Sequence, residues 1–265
     1  IIKPGKYPTN PSSYRPIALT SCLGKVMERM ITERITYYVE SKGLLYSCQS
    51  GFRKGRSTMD PVVCLETDIR KAQINKEVVV AVFFDIEKAY DMVWKDGLLI
   101  KLYKMGITGR AYNWIKDFLS NRDIQVQMGI ALSNKYKIDN GTPQGSIISP
   151  LLFSIMINDV FKEVDLDVMK SLFADDGALW RKGKNVKIVY KKIQKAIDSV
   201  ENWAYNWGVK FSVDKTKTVV FSRKKIEEIE LKMYGEKIEK VSKFRFLGIM
   251  FDSKLLWGDH VKYIE

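Results

Sequence analysis

The sequence is poor in the residues that most often build hydrolytic and zinc sites. His260 is the only histidine among 265 residues, which argues against a Ser-His-Asp triad and excludes any mechanism that needs two imidazoles. The three cysteines, Cys22, Cys48 and Cys64, show no CxxC or other metal-ligand spacing. They therefore predict neither a disulfide framework nor a zinc site, and they favour a reducing intracellular compartment.

Membrane and secretion signals are also missing from the sequence. No apolar run reaches the ~18 residues that a membrane span requires, so no membrane association is predicted. The chain has no initiator methionine and no signal peptide, and it begins Ile1-Ile-Lys-Pro-Gly-Lys. We therefore expect it to be a piece of a longer protein.

Positive charge is what the sequence has in excess. Lys and Arg total 44 against 31 Asp and Glu, which gives a formal net charge of +13. A polyanion, with nucleic acid first, is the partner that this charge favours. A generically soluble basic surface would show the same excess, so both interpretations stay open. The 46% hydrophobic and 12% aromatic content predicts a globular protein with a sizeable core.

Hydrophobic periodicity predicts helices and strands in irregular alternation. The continuous β-branched and aromatic run 78–84 is typical of a strand buried on both faces. Helices are predicted at 24–40, between the loop 49–57 and Asn75, and at 98–105, 111–119, 149–160 and 188–207. Strands are predicted at 168–174, 177–180, 218–221, 231–234 and 244–251, and a hairpin over 124–138. This order predicts an α+β fold, an antiparallel sheet with helices packed mainly on one face.

Three aspartates stand where predicted strands end. Asp85 follows a run too apolar to hold a charge, so its carboxylate is expected at the rim of the sheet. Asp175 and Asp176 lie in the turn of a predicted hairpin that could bring them to the same rim. Clustered carboxylates resist ionising together unless cations neutralise them, and Mg²⁺ favours carboxylate, phosphate and water oxygens. An ordinary solvated turn explains the same residues without an ion, and this alternative stays open.

Seven motifs, taken in order, resemble those of one enzyme family. Phe173-Ala-Asp-Asp176 resembles the F/Y-x-D-D signature of reverse transcriptases, and Phe84-Asp-Ile-Glu-Lys-Ala-Tyr-Asp91 is similar to their upstream aspartate motif. The stretch from Asn140 to Phe153 resembles the intervening motif in the form used by non-LTR (LINE-type) retrotransposons. The remaining four are Tyr14-Arg-Pro-Ile-Ala-Leu19, Gln49-Ser-Gly-Phe-Arg53, Lys217-Thr218 and Phe246-Leu-Gly-Ile249. Together they span nearly the whole chain.

The resemblance implies an RNA-directed DNA polymerase that adds dNTPs to a primer 3′-OH by two-metal phosphoryl transfer. Asp85 and Asp175 are the implied metal ligands, with the Ile86 carbonyl as a further candidate and Asp176 as nearby support. The implied cofactor is a pair of Mg²⁺ ions, for which Mn²⁺ can substitute. Lys217 is the implied proton donor to pyrophosphate, although this chain has Asp214 where the family often has Asn.

The resemblance also implies residues that bind the nucleotide. Tyr90 stands where the family places a ring under the sugar, which would clash with a ribose 2′-OH; core packing is the alternative. Gln144 and Gly145 would border the nascent base pair, and glycine would allow close approach of the backbone. Arg15 and Lys3 would clasp the triphosphate, although either could be a surface charge.

The implied architecture is the fingers and palm of a right-hand polymerase. Residues 1–77 would be mainly fingers and 78–265 mainly palm, with an inserted fingers-side segment around 95–140. A hairpin near 244–251 would grip the primer through Phe246, Leu247 and Gly248, unless these residues only form a buried strand. An endonuclease and a thumb are expected outside this chain, so weak or no processive synthesis is expected from the chain alone.

The implied partners are an RNA template, a DNA primer and dNTPs, with no membrane. The implied location is intracellular, in the nucleus and cytoplasm. Two other classes stay open on the sequence: an RNA-dependent RNA polymerase, and a non-catalytic nucleic-acid-binding domain of a decayed or adopted element.

Overall fold

The structure, a computed structural model, describes residues 1–2, 5, 7–10, 13–224, 226 and 229–265. The chain divides into two units. Residues 1–45 and 88–156 form the first, here called the helical unit, and residues 46–87 and 157–265 form the second, here called the sheet unit. No helix in the described ranges combines the length and the apolar character that crossing a bilayer requires.

The elements follow the predicted order closely. Among the described residues the helices are α1 (Cys22–Ser41), α2 (Met59–Ile74), α3 (Lys95–Lys104), α4 (Gly109–Leu119), α5 (Ser149–Ile157), α6 (Val186–Trp207) and α7 (Gly258–Ile264). The strands are β1 (Val78–Asp85), β2 (Asp123–Ile124), β3 (Gln127–Met128), β4 (Ala131–Leu132), β5 (Tyr136–Lys137), β6 (Met169–Phe173), β7 (Asp176–Gly183), β8 (Lys217–Phe221), β9 (Lys232–Met233), β10 (Glu236–Lys237), β11 (Glu239–Val241), β12 (Lys243–Phe246) and β13 (Ile249–Asp252).

Several predicted boundaries differ from the structure; for example, α3 begins at Lys95 rather than at 98, and β7 runs to Gly183 rather than to 180. Residues 244–251, predicted as a strand from their pattern and as a hairpin from the resemblance, form a hairpin of β12 and β13, because the chain turns at Leu247 and Gly248, both with positive φ. The helix predicted to reach Val160 ends at Ile157 and continues as turns. The predicted hairpin over 124–138 is present as two short ladders, β2 with β5 and β3 with β4.

β1 occupies the centre of the main sheet of the sheet unit. The strand order is β11-β8-β1-β7-β6, and β1 pairs antiparallel with β7 on one side and β8 on the other. Every residue from Val78 to Phe84 is buried, because a central strand of branched and aromatic side chains can pack on both of its faces. The prediction of a strand buried on both faces is confirmed.

Helices cover both faces of this sheet, so the prediction of helices mainly on one face is wrong. Trp180 and Gly183 lie three residues apart on β7 and therefore face opposite sides. Trp180 Nε1 donates a hydrogen bond to Asp68 of α2 at 2.9 Å. A Cβ at Gly183 would lie 3.0 Å from Val189 of α6. The physical reason is that β1 has no polar face to leave in water, so each face needs a helix.

The division into fingers and palm remains a prediction. The structure groups residues 46–77 with the sheet unit, whereas the sequence prediction joined them to 1–45. Val62, Leu65 and Ile69 of α2 pack in one buried cluster with Val79 and Phe83 of β1. The apolar face of α2 therefore belongs to the core of the sheet unit.

A buried carboxylate anchors α1 in the helical unit. Glu28 is 2% exposed and accepts hydrogen bonds from Ser146 Oγ at 2.5 Å and from Ile147 N at 2.6 Å. These groups directly precede α5, and a negative charge is favourable at a helix N-terminus. Glu28 thus fixes the end of the 140–148 loop.

Replacing Glu28 with alanine is expected to lower the free energy of unfolding by about 3 kcal/mol, because buried donors lose a charged acceptor. Urea denaturation measures the change, and the slope with urea should not alter. Glu33→Ala is the control, since Glu33 is exposed on the same helix and should change stability by less than about 0.5 kcal/mol. Equal losses in the two variants would contradict the anchoring role.

Candidate active site

Asp85 ends β1 at one rim of the sheet. Its backbone carbonyl accepts a hydrogen bond from Ser212 N at 2.9 Å, and Glu87 N donates to Lys210 O at 2.9 Å. A second segment therefore fixes the end of the strand. Ile86, the predicted carbonyl ligand, is buried and forms an isolated bridge with residue 211.

The hairpin between β6 and β7 brings the other two aspartates to the same rim. Asp176 is the register partner of Asp85 across β1 and β7, and of Phe173 across β6 and β7. Ala174 and Asp175 are thus the two turn residues. Ala174 has φ +55°, a left-handed conformation that glycine usually occupies in such turns. The convergence of 85 with 175–176 that the sequence predicted is therefore present in the strand register.

The carboxyl groups at this rim influence one another. Burial, and then the charges of Asp175 and Asp85, raise the pKa of Asp176 to about 6, while Arg245 opposes the increase. Although burial of the carboxyl group is the main cause, Asp176 taken as a whole residue is exposed to solvent. A cation already faces Asp85, because Lys215 Nζ lies 2.8 Å from its Oδ2.

A cleft of about 300 Å³ opens beside these carboxylates. Its walls combine aromatic rings with side chains of both charges. The lining residues are Phe83, Phe84, Asp85, Asp176, Gly177, Lys215, Phe244, Arg245 and Phe246. A cleft with convergent polar groups and a perturbed carboxyl pKa is typical of a ligand site.

The donor groups suit a divalent cation that prefers oxygen. Within the described residues, no group of three or more His, Cys, Asp and Glu side chains could hold an ion unaided. Mg²⁺ needs only one or two protein carboxylates, because phosphates and water complete its shell. Asp85 and Asp175, which meet at this rim, would supply that number. Burial is the main cause of the raised pKa of Asp176, and the repulsion from Asp175 and Asp85 that adds to it is what a bound cation would relieve.

The pKa of Asp176 predicts a pH dependence of stability in EDTA. The native state keeps this proton up to about pH 6, whereas an unfolded aspartate loses it near about 3.9. The native state binds more protons in this window, so this group's contribution to the free energy of unfolding falls as pH rises from about 4 to about 6. Urea denaturation at several pH values should show this fall in the wild type relative to Asp176→Asn. Parallel curves for the two proteins would contradict it.

Lys217 and the predicted primer grip have defined places near this cleft. Lys217 begins β8, and its Nζ lies 2.5 Å from Glu239 Oε2, while it also donates to the Asp214 carbonyl. Phe246 lines the cleft but is 2% exposed, because its ring packs on Phe83. Leu247 and Gly248 form the turn that follows.

Tyr90 and Gln144 lie in segments of the helical unit that bind each other. Thr142 N donates to Tyr90 O at 2.8 Å, and Gln144 Nε2 donates to Asp91 Oδ1 at 3.2 Å. The half-buried Tyr90 ring lies 5.3 Å from that of Phe153. The 140–146 loop is therefore docked against the segment that follows β1 in sequence.

The Tyr14-Arg-Pro-Ile-Ala-Leu19 motif joins the same loop. Ala18 N donates to Gln144 O at 2.7 Å. Gly145 has φ +106°, and a Cβ there would lie 3.1 Å from Ala18 O, so both the conformation and the close approach favour glycine. Arg15 of the same motif is exposed to solvent. Lys3 lies outside the described residues.

Two basic residues at the cleft were missed by sequence reasoning. Lys215 lies two positions before Lys217, and the Lys217-Thr218 motif pointed to Lys217 as the proton donor. Arg245 lies between Phe244 and Phe246 on β12, and the alternation of aromatic and basic residues was the available signal. With 44 basic residues in the chain, charge alone did not distinguish these two from the others.

The comparison with known families decides the family of the chain. A family model described as "Reverse transcriptase (RNA-dependent DNA polymerase)" matches residues 1–251. The chain belongs to the reverse transcriptase family. The resemblance seen in the motifs is therefore confirmed. Reverse transcriptases use divalent metal ions and act on nucleic acid.

Relatives of this reverse transcriptase domain come from retrotransposons. The RNA-directed DNA polymerase from mobile element jockey of Drosophila melanogaster is 32% identical over 271 residues, which cover 100% of this chain and 30% of that protein. The probable RNA-directed DNA polymerase from transposon BS of the same species is 32% identical over 270 residues, 99% of this chain and 30% of that protein. The non-LTR assignment is confirmed. The chain spans about 30% of the length of these relatives.

Solved structures share the fold of this reverse transcriptase domain. Apo telomerase from Candida tropicalis, truncated from its C-terminal domain, superimposes with a TM-score of 0.58 at 16% identity, covering 87% of this chain and 44% of that one. Telomerase from Candida albicans in complex with a TWJ fragment of telomeric RNA gives 0.56 at 15% identity, covering 86% and 37%. At these identities the likeness shows the fold: a mixed α+β polymerase fold around a central sheet.

Proposed function

We propose that this reverse transcriptase domain is the fingers and palm portion of a LINE-type RNA-directed DNA polymerase, which adds dNTPs to a DNA primer on an RNA template. The observation that carries the proposal is the strand register, which sets Asp85 opposite Asp176 and beside the turn residue Asp175. Family membership supports the chemistry. The net charge of +13 supports a nucleic-acid partner held by its phosphates.

The residues at the rim have distinct proposed roles. Asp85 and Asp175, with the Ile86 carbonyl as a further ligand, would hold two Mg²⁺ or Mn²⁺ ions, which when bound activate the primer hydroxyl and neutralise phosphate charge. Asp176 would support the ligands from the adjacent position. Lys217 is the proton donor proposed from its motif, and Lys215 is a second candidate because its ammonium contacts Asp85.

The nucleotide and the primer would be held by other segments. Arg15 and Lys3 would bind the triphosphate, and Gln144 with Gly145 would border the new base pair. Tyr90 would exclude a ribose 2′-OH. Phe246 at the end of β12, with Leu247 and Gly248 in the turn that follows, would hold the primer end, and β12 lines the cleft.

Addition of a single nucleotide to a DNA primer on an RNA template tests the proposal. This assay avoids the processive synthesis that the sequence predicts to be weak. We expect dNTP addition with Mg²⁺, no addition in EDTA and little addition of rNTPs. Fluorescence anisotropy measures binding of the same primer–template separately. Tight binding by a folded chain with no addition would instead favour a non-catalytic nucleic-acid-binding domain.

A further inference from the structure

A segment outside the main sheet pairs with the strand that leads into the aspartate turn. Leu172 N donates to Cys48 O at 2.9 Å, and Ser50 N donates to Leu172 O at 2.8 Å. Gln49 and Leu172 thus form a parallel bridge. Residues 48–50 therefore extend the sheet beyond β6, on the edge opposite β7.

Gly51 continues this segment directly against the turn. A Cβ at Gly51 would lie 2.2 Å from Ala174 N and 3.0 Å from Phe173 C. The φ of Gly51 is not in the left-handed region, so its backbone conformation does not require glycine. Glycine is required because there is no room for a Cβ at this position: the obstructing atoms belong to the backbone of Phe173 and Ala174 and cannot rotate away.

The loop 46–53 that carries Gly51 is braced at both ends. Arg53 Nη1 donates to Tyr46 O at 3.0 Å and to Gln49 O at 3.1 Å. Tyr46 N donates to Asn158 Oδ1 at 2.9 Å. Gln49 is fully buried. The loop is thus a fixed part of the sheet unit.

We propose that the loop 46–53, through the contact of Gly51 with the Ala174 peptide, is a positioning element for the Asp175–Asp176 turn. Ala174 occupies a left-handed conformation, which an alanine keeps only when its surroundings hold it. Groups that bind a metal or substrate need placement within roughly 0.5 Å. The loop supplies that placement from outside the strand pair that carries the aspartates. The catalytic consequence rests on the proposed function, whereas the anchoring of the turn does not.

Gly51→Ala and Gly183→Ala form a matched pair for the test. Gly183 ends β7, at the far end of the strand from Asp176, and its added Cβ would press on Val189 at 3.0 Å. Both variants crowd the same unit, but only the first crowds the turn. Amide hydrogen exchange measures opening of residues 171–177, and urea denaturation measures global stability. Single-turnover dNTP addition gives the rate and the KM for dNTP.

Gly51→Ala is expected to raise exchange in 171–177 and to lower the rate of addition about tenfold with KM unchanged, because a shift below 1 Å misplaces the carboxylates. Gly183→Ala should change neither the exchange in 171–177 nor the rate of addition, when the two variants have the same free energy of unfolding. Arg53→Met is the second variant; it loosens the loop without adding atoms at Ala174, and smaller changes in the same direction are expected.

Unchanged exchange in both Gly51→Ala and Arg53→Met, or equal rate losses in the two glycine variants, would overturn the proposal. An inactive wild type would reject the proposed function, while the exchange result would still decide the anchoring.

Discussion

Asp85→Asn is expected to slow nucleotide addition about a thousandfold, while primer–template binding stays at the wild-type level. A metal-bound transition state gains several kcal/mol from charge neutralisation, and about 4 kcal/mol corresponds to a thousandfold in rate. An amide keeps the shape of the side chain and removes its charge. Since Asp85 ends a buried central strand and its backbone carbonyl stays bonded to Ser212, the fold should tolerate the change.

Single-turnover addition and anisotropy binding, run on the same preparation, check this prediction. Asp198→Asn is the matched control, because Asp198 is an exposed carboxylate on α6 in the same unit, where it accepts a hydrogen bond from Gln194. Affinity for Mn²⁺, followed by its electron paramagnetic resonance signal, should fall in Asp85→Asn only. Wild-type rates in Asp85→Asn would remove Asp85 from the metal site.

The meeting of the three aspartates at one rim was predictable because each part has a local cause. The run 78–84 contains no polar residue, so Asp85 had to mark its end. The Asp-Asp pair lies between two apolar runs, which predicts a hairpin turn. The exact pairing of Asp85 with Asp176 is a matter of register between β1 and β7, and the structure supplies it.

The remaining features of the site depend on contacts that no local pattern contains. Gly51 belongs to the Gln49-Ser-Gly-Phe-Arg53 motif, but the motif assigned it no role, and its contact with the Ala174 peptide is visible only in the structure. Glu28 has the spacing of an ordinary helix residue, yet it is buried against residues 118–120 positions away. Lys215 precedes β8 and its ammonium contacts Asp85, whereas Lys217 begins β8 and contacts Glu239.

The packing of helices on both faces of the main sheet was also not predicted from the sequence. The amphipathic pattern of α6 and the weaker pattern of α2 predict that each helix packs on something, but not on which face. The run 78–84 already predicted a strand buried on both faces, because its apolar residues occupy both even and odd positions. A sheet centred on such a strand needs a covering layer on each face, which is the three-layer arrangement of the sheet unit.

Tyr90→Val is expected to raise the use of rNTPs relative to dNTPs by about a hundredfold. In the proposed site the Tyr90 ring would occupy the space that a ribose 2′-OH needs, and even a change of one methylene in a pocket alters discrimination by roughly 10 to 200-fold. The backbone of Tyr90 still accepts the hydrogen bond from Thr142, so the 140–146 loop should stay docked. The side chain loses its contact with Phe153, which lowers stability but acts equally on both kinds of nucleotide.

The ratio of kcat/KM for a ribonucleotide to that for the matching deoxynucleotide, measured on one RNA template, isolates the steric effect from the loss of stability. Tyr90→Phe is the control, because it keeps the ring and removes only the hydroxyl, and it should retain the wild-type ratio. If valine and phenylalanine gave the same ratio, the ring would be a packing residue, which is the alternative that the sequence left open. A rise with valine alone would assign sugar discrimination to the ring and make an RNA-copying RNA polymerase untenable for this domain.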